Sequence, residues 1–295
     1  MIMNDQVLGF IGGSGLYEID FIDNNRLLDI KSPWGNPSDK IIEGTINENK
    51  IYFLSRHGLG HKLSPSAINY QANIDCLKQC GVTDIISLSA VGSLEESLNP
   101  GTFVIVDQFI DRTINRKKSF FNEGIVAHVP MSEPTAKEFM LLSKKNLDKL
   151  NISNFFGGTY LAMEGPQFST KAESHLYRQW GCDVIGMTNI PEAKLVREAE
   201  IRYCSISMVT DYDCWHQDHE SVNLEMILNT MRKNTEKSIK FIQLISDEYY
   251  KGIDFSEDKT RNILDTSIVT HRDSWDPTVE KKLNTILQRY KKSND

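Results

Sequence analysis

Short apolar runs alternate with amphipathic stretches from residue 7 to about residue 245, with no repeat, low-complexity tract or linker between them. The runs predict strands at Val7 to Ile11, Ile51 to Ser55, Ile85 to Ala90, Thr102 to Val106, Asp183 to Met187 and Ile201 to Val209. Several are unbroken Val/Ile/Leu sequences, the pattern of strands covered on both faces. Pro65 and Ser66 open a helical stretch whose Ile68, Ala72 and Cys76 fall on one face, and Gly81 stands where a terminating glycine belongs. Asn189 to Glu200 is helical in composition, and Val222 to Ser246 reads as a long amphipathic helix followed by an acidic, polar stretch to Arg261. Asp276 and Pro277 make an N-cap and N1 pair. Beyond them Val279, Leu283, Ile286, Leu287 and Tyr290 form one stripe, which predicts a docked helix at the end of the chain. Residues 1–250 are thus expected to form the main body, with 251–295 an extension of the same domain.

This alternation implies an α/β sheet flanked by helices, in which ligands collect beyond the carboxyl ends of strands. Five of the predicted ends carry small, polar or charged residues: Gly12-Gly13-Ser14-Gly15, Arg56-His57-Gly58, Ser89 to Ser93, Met187-Thr188-Asn189 and Thr210 to Asp213. The glycine loop does not satisfy GxGxxG and has no Lys-Ser/Thr completing a P-loop, so a nicotinamide cofactor loses support. Such a loop by itself is more often a plain tight turn. Beside it, however, Arg56 offers a charged fork suited to phosphate oxygens, His57 a second donor, and Ser89 and Thr188 hydroxyls. Their convergence describes a site for free phosphate. Asp211 and Asp213, two residues apart on extended backbone, point to one side, and like charges that close raise one pKa.

Composition restrains these readings. The chain has 295 residues, 40% apolar and 25% charged, within the range of globular proteins. Lys plus Arg number 33 against 40 Asp plus Glu, so the net charge of −7 supplies no field that would draw in nucleic acid or a membrane surface. Any anion needs a local site. Five scattered cysteines with no CxxC pair fit reduced thiols, and the absence of a basic, apolar leader or of any run approaching 18 apolar residues predicts a soluble cytoplasmic protein. His216, Asp218 and His219 raise the question of a metal, but no third ligand of a recognised spacing lies nearby, so none is expected.

The segments IGGSGLY, SRHGLGHKLSPSAINYQANI, SAVGSL, PGTFVIVDQFIDRT, MEGPQFSTKAES, VIGMTNIPEAKLVREAEI and MVTDYDCW, in this order, resemble the methylthioadenosine phosphorylases of the purine nucleoside phosphorylase family. The resemblance covers residues 7 to 245 and weakens over the last fifty. It implies one α/β domain with a mixed, partly barrel-like sheet, a homotrimer, no cofactor, and phosphate as co-substrate in cleaving methylthioadenosine to adenine and 5-methylthioribose 1-phosphate. Phosphate contacts are implied at Ser14, Arg56, His57, Ser89, Ala90 and Thr188, base contacts at Phe168, Ser169, Asp211 and Asp213, and a ribose contact at Met187. His128, from a neighbouring subunit, and His61 are implied near the 5′ end. Ser89, Asp211 and Asp213 are then the candidate catalytic residues.

The chemistry follows. Departure of the base leaves an oxocarbenium-like ribose that phosphate stabilises, while a carboxyl with a raised pKa protonates N7. A second, ionised carboxylate accepts from a 6-amino group and repels a 6-keto oxygen, which favours adenine over 6-oxopurines. Two departures stand out: Ser14 and Ser89 replace the Thr of many relatives, and Gly186 stands where animal methylthioadenosine enzymes have Asn and the 6-oxopurine enzymes have Gly. An apolar 5′ pocket is expected from Val222, Leu224 or Met226. The competing readings are a phosphorylase for methylthioinosine or 6-oxopurine nucleosides, a hydrolase, a dinucleotide-binding oxidoreductase and a non-catalytic adenine-nucleoside binding protein.

Overall fold

A computed structural model describes residues 6–13, 15–16, 20–216 and 224–294. Of the positions singled out above, Ser14, Asp218, His219 and Val222 lie outside the described residues, as do the side chains of Leu224 and Met226.

Each predicted strand is present: β1 (Leu8–Gly12), β4 (Asn49–Ser55), β5 (Asp84–Ser93), β6 (Phe103–Val106), β10 (Val184–Gly186) and β11 (Arg202–Tyr212). Five more complete an eleven-stranded sheet: β2 (Asp23–Leu28), β3 (Ile41–Ile46), β7 (Gln108–Arg112), β8 (Asn154–Phe156) and β9 (Thr159–Met163). Pairing is mixed. β1 lies parallel to β4 and β5, β11 parallel to β5, and β9 parallel to β7 and β10, whereas β10 runs antiparallel to β5 and β3 antiparallel to β2 and β4.

Helices α1 (Tyr70–Gln79), α2 (Lys137–Lys149), α3 (Lys171–Gln179), α4 (Asn189–Glu198) and α5 (Leu224–Tyr250) flank the sheet. The helix expected from Pro65 begins later than its apolar spacing suggests. Pro65–Ala67 is a single 3₁₀ turn, Ile68 is extended, and Asn69 caps α1 by accepting from the Ala72 N–H. Gly81 ends it at φ +82°, as its position implied. The C-terminal stripe likewise forms two short helices, α6 (Pro277–Lys282) and α7 (Gln288–Asn294). Asn284 and Thr285, weak helix formers, sit at the break, where Asn284 and Gln288 donate three residues back, to the carbonyls of Lys281 and Thr285. The stripe still docks: Leu283, Ile286 and Leu287 are buried in one cluster with Ile74, Leu77 and Val196, and Arg289 grips Glu200 and Asp265.

Candidate active site

Strand register assembles the site. Gly12 pairs with both Ser55 and Leu88, so the residues that follow, Gly13, Arg56 and Ser89, emerge at one level of the sheet. On that edge of β5 the pairing with β1 ends at Leu88 and the pairing with β10 starts only at Gly92. Residues 89–91 therefore border a gap, the sort of switch point at which α/β sheets bind ligands. A cavity of about 760 Å³ opens there. Because β10 runs antiparallel to β5, Met187 and Thr188 return toward Ser89, whose hydroxyl donates to Asn189 Oδ1 at 3.1 Å. β11 continues past the gap with a register shift between Val209 and Asp211, and carries Asp211 to Asp213 onto the far wall.

One cavity thus gathers Gly13, Arg56, His57, His61, Ser89, Ala90, Phe168, Met187, Thr188, Asp211 and Asp213. Two sequence candidates stand outside its lining. Ser169 lies one step behind it, accepting at its carbonyl from Cys214 Sγ at 3.3 Å. His128 is exposed on a segment held by its N–H to the Ser267 carbonyl at 2.8 Å.

At one end Arg56 is wholly buried, and its fork is not presented to the cavity as the sequence suggested. Nε donates to Glu192 Oε2 at 2.7 Å, Nη2 to Glu192 Oε1 at 3.2 Å and to Ser87 Oγ at 2.5 Å, and Nη1 to the Leu88 carbonyl at 3.0 Å. Of five N–H groups one, on Nη1, is left for a ligand. Glu192 also accepts from Ser87 Oγ at 2.6 Å and Tyr203 Oη at 2.8 Å, so the ion pair is fully satisfied. Gly13 closes over it: a Cβ there would stand 2.9 Å from Arg56 Nη1 and 2.8 Å from the Leu88 carbonyl. Burial, with a smaller contribution from the Arg56 charge, pushes the His57 imidazole down to about 4 despite its bond to Leu63. Its Nδ1 lies 2.9 Å from the Leu63 carbonyl, which can only accept, so Nδ1 carries the proton and Nε2 a lone pair. His61 stacks on His57 at 4.1 Å, and burial lowers its pKa as well.

At the other end burial raises Asp211 to about 6; the Thr210 hydroxyl, donating to Oδ1 at 2.5 Å, opposes the rise and the Asp213 charge adds to it. Burial raises Asp213 too, against the Ser174 and Ser169 hydroxyls, and its buried Oδ2 has no hydrogen-bond partner among the described residues. His216 stacks on Tyr212 at 4.6 Å and lies 3.2 Å from Glu96. No group of three His, Cys, Asp or Glu that could hold a metal occurs among the described residues.

Three supporting residues escaped the sequence reading. Glu192 sits between Pro191 and Ala193 in a buried part of α4, and a lone carboxylate among apolar neighbours signals a distant cationic partner. Arg116, buried, donates to the carbonyls of Met187, Ile190 and Glu164 and ties two walls of the cavity together; no local pattern announces it. Met231, on α5, lines the cavity as one more apolar position of an amphipathic helix.

Comparison with known proteins agrees with this geometry. Residues 7–246 match the family model described as the phosphorylase superfamily. An S-methyl-5′-thioadenosine phosphorylase of Rhodospirillum rubrum is 51% identical over 283 residues, 96% of each chain. Among solved structures, a methylthioadenosine phosphorylase from an antarctic soil metagenomic library superposes with a TM-score of 0.88 at 40% identity, over 96% of this chain and 99% of that one. The methylthioadenosine phosphorylase of Schistosoma mansoni, solved with adenine, gives 0.84 at 30% identity, over 91% and 99%. The strand-end cavity, the mixed sheet around it and these likenesses lead to one assignment: the chain belongs to the phosphorylase superfamily.

Proposed function

We propose that the protein cleaves 5′-methylthioadenosine with phosphate, giving adenine and 5-methylthioribose 1-phosphate. The observation that carries this reading is the polarity of the cavity: a buried carboxyl pair at one end, hydroxyls and N–H donors around Arg56 at the other. The purine lies against Asp211, Asp213 and Phe168, the ribose against Met187, and phosphate among Ser14, Arg56, His57, Ser89, Ala90 and Thr188.

The C1′–N9 bond breaks toward an oxocarbenium-like ribose, phosphate oxygen bonds to C1′, and Asp211 delivers a proton to N7. Asp213, an acceptor, takes a hydrogen bond from the 6-amino group directly or through water, and would oppose a 6-keto oxygen. His57, neutral and with Nε2 unprotonated, accepts the O–H of hydrogen phosphate, which leaves the unprotonated oxygens for the remaining donors and C1′. Among the described residues, the neutral His57/His61 stack, Pro65 and Met231 give an uncharged wall suited to a methylthio group. No cofactor enters the scheme. We place the protein in the cytoplasm, in keeping with five free thiols, and as a homotrimer in which His128 reaches the 5′ end of a neighbour's site. No helix among the described residues is long and apolar enough to cross a membrane.

The test is a panel of methylthioadenosine, adenosine, methylthioinosine and inosine, each with and without phosphate. Adenine release from methylthioadenosine that requires phosphate, with inosine and methylthioinosine poorly used, supports the reading. Preferential cleavage of the 6-oxo substrates would reject it.

A further inference from the structure

Gly186 forms part of the cavity wall, yet space on its buried side is already taken. A Cβ built at Gly186 would stand 2.6 Å from Tyr160 Cζ and closer still to the Tyr160 hydroxyl. Tyr160 is fully buried on β9, tilted against Phe109, and reaches past its strand partner Val184 to this point. There its hydroxyl accepts the Thr188 N–H at 3.2 Å in a buried hydrogen bond. Thr188 precedes α4, its side chain makes no capping bond to that helix, and its hydroxyl also interacts with Tyr160.

We propose that Tyr160 is a positioning residue for phosphate: from behind the wall it fixes the Thr188 backbone, and through it the direction of the Thr188 hydroxyl. Gly186 is glycine because Tyr160 fills the place of its side chain. The inference rests on the reading above that Thr188 serves phosphate, and it makes positions 160 and 186 a coupled pair whose exchange remodels the floor of the cavity. A phenylalanine at 160 would still leave ring carbon in the way of a side chain at 186, whereas a leucine would not reach it.

Tyr160→Phe removes the hydroxyl alone. It is expected to raise the KM for phosphate about 3- to 10-fold, the worth of one neutral hydrogen bond, with the KM for methylthioadenosine within about twofold. Gly186→Ala, which pushes a methyl group into Tyr160, should produce the same split and a lower Tm, and Gly186→Ala with Tyr160→Leu should melt above Gly186→Ala alone. A merely structural role would lower Tm without separating the two KM values. An unchanged phosphate KM in Tyr160→Phe, equal shifts in both KM values, or a double variant no more stable than Gly186→Ala would overturn the proposal. Titrating inorganic phosphate against Tm in wild type and Tyr160→Phe reads the same 3- to 10-fold shift without turnover. Wild-type cleavage that ignores phosphate would therefore defeat the phosphorylase reading, while the titration still decides the role of Tyr160.

Discussion

Asp211 is the residue on which pH acts most directly. Its carboxyl is raised to about 6 by burial first and by Asp213 second, and if it is the proton donor, as proposed, kcat/KM for methylthioadenosine falls as pH rises above about 6. Asp211→Asn removes that proton and should cost far more on 6-amino than on 6-oxo substrates; equal losses on both reject its assignment. The same shift has a thermodynamic sign. Below the ordinary value of 3.8 both folded and unfolded chains hold the proton; as pH rises to about 6 the unfolded chain loses it first, and stability falls over that window. Asp211→Asn is therefore expected to be more stable than wild type by about 3 kcal/mol at pH 7.5 and equal to it near pH 3.5, a difference that denaturant titration at the two pH values measures. The pair was legible in the sequence because both carboxylates stand two residues apart at the end of a predicted strand, Ile201 to Val209. The use of Arg56 was not: its partner Glu192 lies 136 positions away, and only β4, β5 and α4 together bring them into contact.

Among the elements, β5 organises the whole. Its first half is flanked by β1 and its last residues by β10, and the three-residue gap between them is the site. The buried strands β1, β5 and β11 announced themselves as apolar runs, whereas β2, with five exposed positions in the sequence DNNRLL, and the three-residue β8 carry too little pattern to be read. The C-terminal stripe revealed which residues dock but not that Asn284 and Thr285 divide the helix, since burial spacing survives a local tightening. The Arg56–Glu192 pair links β4 to α4 across this gap, with Ser87 of β5 and Tyr203 of β11 completing it. Glu192→Ala leaves a buried guanidinium uncompensated and is expected to cost about 3–5 kcal/mol, measured as a fall in unfolding free energy. Arg56→Met combined with Glu192→Leu should recover much of that stability while abolishing phosphate-dependent turnover. A Glu192→Ala variant as stable as wild type would contradict this account of the pair.

At the scale of the molecule, the net charge of −7 and the anion site are reconciled without a basic surface. Phosphate would meet one Arg56 N–H, hydroxyls and backbone amides in a pocket where the deeply buried Arg56 is already paired with Glu192, so binding depends on geometry more than on field. His128 is exposed and does not line the cavity of its own chain. If a neighbouring copy supplies it, subunits carrying Asp211→Asn and subunits carrying His128→Ala, co-expressed, should regain activity beyond either alone, since a site with intact Asp211 then receives an intact His128. A mixed population no more active than its parts would contradict a shared site. The claim on which all of this depends is that phosphate, not water, takes the ribosyl group. Phosphorus NMR of the protein turning over methylthioadenosine in phosphate reads it directly: the account predicts a sugar 1-phosphate resonance growing in step with adenine, whereas adenine released with inorganic phosphate unchanged would contradict it.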